Sequence, residues 1–281
     1  MRLCRRSVGV FTLFLGLLTV SPPAGLRAEV PVDLELVLAI DVSGSVDPEE
    51  ARLQRDGYVQ AFLNEKVKRA IRGGPFGRIA VIYIEWAGDL HQQIIVNWSM
   101  LSDPASVEHF AGTVAEAPIT SAQWTSISGA IDYAVTLFDN NGYEGTRRVI
   151  DVSGDGENNR GRPAEMARDA AVARGITING LPILNDRPNP WGGSPTSNLD
   201  SYYRNSVIGG PGAFMIPAND FTAFADAILG KLLLEISGLT PDRDVAVEGS
   251  GREMEKRHGD RRQDGGGTLP SRQPASDGNP S

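Results

Sequence analysis

The sequence predicts an α/β fold, a three-layer α-β-α sandwich around a mostly parallel sheet with one antiparallel edge strand. Two observations carry that prediction. Short, nearly continuous apolar runs recur along the chain, as parallel strands covered on both faces require. Longer stretches between them place apolar residues every three to four positions, the period of helices that lay one face on a sheet. Composition agrees: 281 residues, 41% hydrophobic and 22% charged, is an ordinary globular balance.

Taken in order, Leu36 to Ile40 forms the first strand. Asp47-Pro48-Glu49-Glu50 then starts a helix, with a capping side chain, a proline at the first helical position and an acid three residues after the cap. Val59, Phe62, Leu63, Val67, Ala70 and Ile71 follow one helical stripe. Ile79 to Ile84 is the second strand, and His91 to Trp98, which mixes polar and apolar residues, is the antiparallel edge. A helix holding His109 follows, and another carries Ile127, Ala130, Ile131, Ala134, Val135 and Phe138 on one side. Val149 to Val152 is the fourth strand. The next helix starts near Pro163 and stops at Gly175, before a fifth strand within Ile176 to Leu184. A further helix and a sixth strand lead to a last helix, Asp220 to Ile236, with Phe221, Phe224, Ile228, Leu229, Leu232 and Leu233 inside.

Both chain ends lie outside this pattern. Arg2, Arg5 and Arg6 precede an apolar run from Val8 to Val20 and then Ser21-Pro22-Pro23-Ala24, the shape of a secretory signal peptide over residues 1–28, with Ala28 as the last residue before cleavage. Retention as an anchor is the alternative, and the Arg5-Arg6 pair permits the twin-arginine route. The expected location is periplasmic or secreted, with no membrane span after cleavage. Residues 241–281 are rich in Gly, Pro, Asp and Arg and are expected to be a disordered tail. One domain, residues 29–240, remains.

Charge and cysteine usage exclude several functions. A net charge of −8 argues against nucleic acid and anionic lipid, which need a basic face. The single cysteine, Cys4, excludes a Cys-ligated zinc site, a two-cysteine redox centre and an intrachain disulfide. No G-x-S-x-G, H-E-x-x-H, phosphate-loop or dinucleotide-loop motif occurs, and His91, His109 and His258 are scattered. The chain is therefore read as a non-enzyme; a metal-dependent hydrolase is the alternative.

In sheets of this kind, ligands bind beyond the carboxyl ends of the strands where the strand order reverses. The first strand runs into Asp41-Val42-Ser43-Gly44-Ser45 and the fourth into Ser153-Gly154-Asp155-Gly156. A third polar segment, Ser121 to Ser126, precedes the helix at Ile127. Taken singly, such clusters are ordinary turn chemistry. Together they offer two carboxylates and three hydroxyls, an all-oxygen set suited to a hard divalent cation such as Mg2+, with Mn2+ or Ca2+ as the other candidates. With only two charged groups, the cation would stay electrophilic and accept a further carboxylate from a protein partner.

The D-x-S-x-S run, a later threonine and the S-G-D-G turn resemble the metal-ion-dependent adhesion site (MIDAS) of a von Willebrand factor type A (VWA) domain, over roughly residues 31 to 238. The resemblance implies a sheet order like 3-2-1-4-5-6. It also implies that Ser43 and Ser45 ligate a metal directly, that Asp41 and Asp155 act directly or through water, and that Thr125 comes from the middle loop. Many members have glycines before that threonine, where this chain has Gln123 and Trp124. The function implied is metal-dependent protein binding, with a metal-free interaction scaffold as another possibility. Trp124, beside Thr125, and Trp191, within the long segment Asn185 to Asn198, are candidate partner anchors; the alternative for each is an outlying core aromatic. Glu85 ends the strand beside the first and is expected to be solvated, or else to support the site from behind.

Overall fold

The computed structural model describes residues 28–184, 198–219 and 223–241. Its main sheet has five strands: β2 (Glu35–Asp41), β3 (Ile79–Trp86), β4 (Gln92–Leu101), β6 (Arg148–Gly154) and β7 (Thr177–Pro182). They lie in the order β4-β3-β2-β6-β7, with β4 antiparallel and the other pairs parallel. The α/β sandwich with an antiparallel edge is therefore the fold.

Helices cover both faces. Alternation along β2 sends Leu36, Leu38 and Ile40 to one side, where α1 (Pro48–Leu63), α2 (Glu65–Arg72), α3 (Pro104–Glu116) and α7 (Phe224–Ser237) pack with Tyr58, Phe62, Phe110, Phe224 and Leu232. Val37 and Ala39 face the other side, under α4 (Ile127–Leu137) and α5 (Ala164–Ala173), with Ile131, Ala167 and Tyr203. The capping box expected at Asp47 is present: the Asp47 carboxylate accepts the Glu49 and Glu50 N–H groups, and Glu50 Oε2 accepts the Asp47 N–H. Gly175 closes the turn after α5 at φ +74.

Three features depart from the sequence reading. The stripe from Val59 to Ile71 is two helices, because Asn64 leaves helical geometry (ψ 132) and caps α2 with its own side chain. The sixth strand is reduced to isolated parallel bridges, Gly180 with Met215 and Ile183 with Ala218; Gly209, Gly210, Pro211, Gly212 and Pro217 surround them, and proline cannot donate to a ladder. A second sheet joins β1 (Val30–Val32) to β5 (Tyr143–Gly145), segments too short to show a period. A four-residue helix, α6 (Leu199–Tyr202), runs into a π-helical turn, Tyr203–Val207. The last helix begins at Phe224 among the described residues; Asp220 and Phe221 lie outside them, as do the signal segment 1–27 and the tail from residue 242. No described helix is long and apolar enough to cross a membrane.

Candidate metal centre

Because β2 and β6 are neighbours, with Ile40 opposite Ser153, their carboxyl ends deliver Asp41 and Asp155 to one crevice. Asp41 is the last residue of β2 and completely buried. Its Oδ1 accepts the Ser43 N–H at 2.7 Å, an Asx turn that aims the following hydroxyls into the crevice. Ser43 Oγ lies 3.0 Å from Ser45 Oγ, and Ser45 Oγ donates to Asp155 Oδ1 at 2.6 Å. Two residues 110 positions apart thus share a hydrogen bond at the centre of the site.

The middle loop is laced to both strand ends. Ala122 N–H donates to Val42 O at 3.0 Å, and Ser126 N–H to Ala87 O at 2.7 Å. Thr125 exchanges two hydrogen bonds with Asn159, its N–H to Asn159 Oδ1 at 2.9 Å and its carbonyl from Asn159 N–H at 2.8 Å. Asn158 Oδ1 accepts the Ser128 N–H at 3.0 Å. These clamps bring the Thr125 hydroxyl to the Asp155-Gly156 turn, 3.7 Å from where a Cβ on Gly156 would stand. Asp41, Ser43, Ser45, Thr125 and Asp155 therefore surround one crevice. Asn158 and Asn159, in the polar run after Asp155, thus hold the loop that presents Thr125.

The electrostatics favour a cation. Burial, and then the charge of Asp155, push the Asp41 carboxyl well up from its ordinary range. Burial pushes Asp155 up to about 6 against the hydrogen bond from Ser45, with Glu50 adding a like charge. Asp41 Oδ2 is buried and has no hydrogen-bond partner among the described residues. Two converging carboxylates, one fully buried and the other only partly exposed, are costly when both are ionised, and a bound cation would offset that cost. In an octahedral Mg2+ site, bonds of about 2.1 Å set neighbouring oxygens about 3 Å apart. The Ser43–Ser45 separation of 3.0 Å fits that edge, whereas the 2.6 Å Ser45–Asp155 bond must open slightly. Among the described residues no cluster of three or more His, Cys, Asp or Glu side chains forms, so this centre would rest on two acids and three hydroxyls. The donor chemistry fits a hard cation.

Around the crevice, two expectations change. Glu85 is buried rather than solvated: it pairs with buried Arg55 of α1, and the Thr120 hydroxyl donates to its Oε2 at 2.6 Å. Arg55 also donates to the Ala117 carbonyl, so this pair ties α1 and β3 to the start of the middle loop. Trp124 is not a core aromatic. It is 53% exposed, with the Arg160 guanidinium 5.1 Å above its ring and Arg160 3.5 Å from Asp89. Its φ is +70, so at a position where the resembled family often has glycine this chain keeps glycine-like backbone geometry with a tryptophan. Trp191 lies outside the described residues.

Sheet order and the two helical layers are those of a VWA-type fold, with the polar crevice at the β2/β6 switch point. The chain belongs to the family described as "Protein of unknown function (DUF1194)", whose model matches residues 31–240. Among solved structures it is similar to proximal thread matrix protein 1 from the mussel byssus with a zinc-occupied MIDAS motif, at 13% identity and TM-score 0.54, covering 74% of this chain and 49% of that one. It is also similar to the pilus adhesin SpaC from Lactobacillus rhamnosus GG, at 14% identity and TM-score 0.52, covering 75% and 31%. A third likeness is to a von Willebrand factor type A protein from Catenulispora acidiphila, at 13% identity and TM-score 0.51, covering 73% and 43%. This chain thus spans about half the length of the mussel protein and less of the other two, and at such identities the likeness is one of fold. No match was found among curated proteins.

Proposed function

We propose that this protein is an exported, metal-dependent protein-binding module. The observation that carries the reading is the buried Asp41 Oδ2, without a hydrogen-bond partner among the described residues, beside the Ser43–Ser45–Asp155 chain, an acidic oxygen cradle. Ser43, Ser45 and Thr125 would hold Mg2+ through hydroxyls, and Asp41 and Asp155 directly or through water. Bound there, the cation would supply an electrophilic centre able to take a carboxylate from a protein partner. The likeness to a zinc-occupied MIDAS structure and to a pilus adhesin supports this use of the fold. With a net charge of −8, the chain would otherwise repel an acidic partner. The basic, apolar segment over residues 1–28, read as a leader, supports a periplasmic or secreted location.

The test is thermal melting of the protein in chelator and in millimolar Mg2+, Mn2+ and Ca2+, with Asp41→Asn as the control. Wild type should gain stability with cation, about 2.7 kcal/mol at a hundredfold excess over Kd. Asp41→Asn should lose that gain and yet melt no lower than wild type in chelator, because it removes a buried like charge. No shift with any of the three cations would replace this reading by a metal-free scaffold; turnover requiring both Asp41 and metal would replace it by a hydrolase.

Partner choice falls to the rim, where Trp124 stands beside Thr125 and Leu90 is 95% exposed next to Asp89. Holding tryptophan at positive φ costs about 1–2 kcal/mol, which an anchor in contact with a partner explains. Trp124→Gly is therefore expected to melt within about 2 °C of wild type. Capture of chelator-elutable partners by the immobilised protein should fall roughly tenfold. Trp191→Ala should behave likewise; a large loss of stability there would assign Trp191 to the core, and one in Trp124→Gly would show that Trp124 supports its own loop rather than a partner.

A further inference from the structure

Tyr203 is completely buried, and its hydroxyl, like Asp41 Oδ2, has no hydrogen-bond partner among the described residues. It opens the π-helical turn Tyr203–Val207, a widened geometry that often marks functional positions. Two glycines of the sheet make room for it. The ring lies over Gly180 of β7, where a Cβ would come within 2.7 Å of Tyr203 Cδ1. The hydroxyl reaches Gly154 at the end of β6, where a Cβ would stand 2.9 Å from it and 2.8 Å from Asp41 Oδ2. The two unsatisfied atoms therefore converge on the one spot where β6 carries no side chain. They are complementary: a phenol at neutral pH donates, and a carboxylate oxygen accepts. Asp41 Oδ1 is already held by the Ser43 N–H, so Oδ2 is the oxygen still free to be fixed.

We propose that Tyr203 is a positioning residue of the metal centre, its hydroxyl standing ready to donate to Asp41 Oδ2 once a cation is bound and so to hold the rotation of the carboxylate toward it. The adjacent Tyr202 acts on the same site from the rim: its hydroxyl accepts the Asn158 N–H at 3.2 Å, and Asn158 secures the Thr125 helix start. One short segment, Leu199–Val207, thus supports two of the three clusters. This inference rests on reading the crevice as a cation centre.

The experiment is Mn2+ titration of the whole protein by calorimetry, paired with melting in chelator, for wild type, Tyr203→Phe and Gly180→Ala. Tyr203→Phe should bind Mn2+ roughly tenfold more weakly, the lower end of what losing an outer hydrogen-bond partner costs. Its melting temperature in chelator should hold or rise, since a buried unsatisfied hydroxyl is removed. Gly180→Ala, which pushes the ring without touching Asp41, should weaken Mn2+ binding as well. Equal Mn2+ affinity in wild type and Tyr203→Phe overturns the positioning role while leaving the cation centre standing. A weaker affinity matched by an equal loss of stability in chelator makes Tyr203 a packing residue and also overturns it. Absence of Mn2+ binding in wild type removes the cation centre, and this inference with it.

Discussion

Lys231→Met is expected to destabilise the protein by about 3–5 kcal/mol, lowering the melting temperature by roughly 10 °C. Lys231 lies on α7 with no exposed surface, its ammonium 2.6 Å from Asp151 Oδ1 on β6 and 2.5 Å from Glu235 Oε1 one turn along the helix. Asn179 of β7 donates to the same glutamate at 2.9 Å, and Tyr58 of α1 packs nearby with a buried hydroxyl. Methionine fills a similar volume but leaves two acids buried without a cation. The arrangement also makes stability depend on pH. Burial, and then the charge of Glu235, push Asp151 from 3.8 to about 7 against the pull of Lys231. A carboxyl whose pKa rises on folding stabilises the protein below its unfolded value, and that contribution is lost as pH climbs through about 7. Wild type should therefore melt lower at pH 8 than at pH 5, and Asp151→Asn should flatten the slope. The deficit of Lys231→Met should be larger at pH 8, and adding Asp151→Asn should recover part of it. A deficit independent of pH would mean that packing, not charge, is what Lys231 supplies.

Arg55→Met is expected to cost about 3 kcal/mol or more by urea denaturation, and to weaken the response to cation as well. Arg55 is the buried partner of Glu85 and a donor to the Ala117 carbonyl, so its loss strands a carboxylate with only the Thr120 hydroxyl. It also loosens the segment that leads into Ser121–Ser126 and Thr125. Adding Glu85→Gln should restore much of the stability, because no buried charge then remains. The cation response should return less fully, since the tie between α1 and the loop stays cut. Full recovery of both would show that Arg55 acts only by neutralising Glu85.

How much of this was readable beforehand differs from element to element. The strands of the parallel sheet were legible because burial on both faces leaves an uninterrupted apolar signature, as in Leu36 to Ile40. The start of α1 was legible because capping chemistry is local, needing only Asp47, Pro48 and Glu50. The break at Asn64 was not, since the apolar stripe continues in register on either side and only the asparagine's competing hydrogen bond stops the helix. Lys231 and Glu235, one helical turn apart, carry no local mark of burial; they are buried because α7 is sandwiched between α1, α2 and the sheet. Glu85 misled for the same reason, its exposure being decided by a helix placed over the strand end.

For the candidate site the division is similar. The residue types and the positions of Asp41, Ser43, Ser45 and Asp155 at strand ends are properties of the sequence, because a strand's carboxyl end and the turn after it are set by neighbours in the chain. The support beneath and around them is not: Asn159 on Thr125, Arg55 on Glu85 and Tyr203 beside Asp41 come from segments distant in sequence. Their proximity follows from strand order and helix packing. The sequence by itself determined which groups stand at the crevice. The tertiary structure alone decided which of their oxygens are held, buried or left free, since hydrogen bonds and desolvation depend on distances through space.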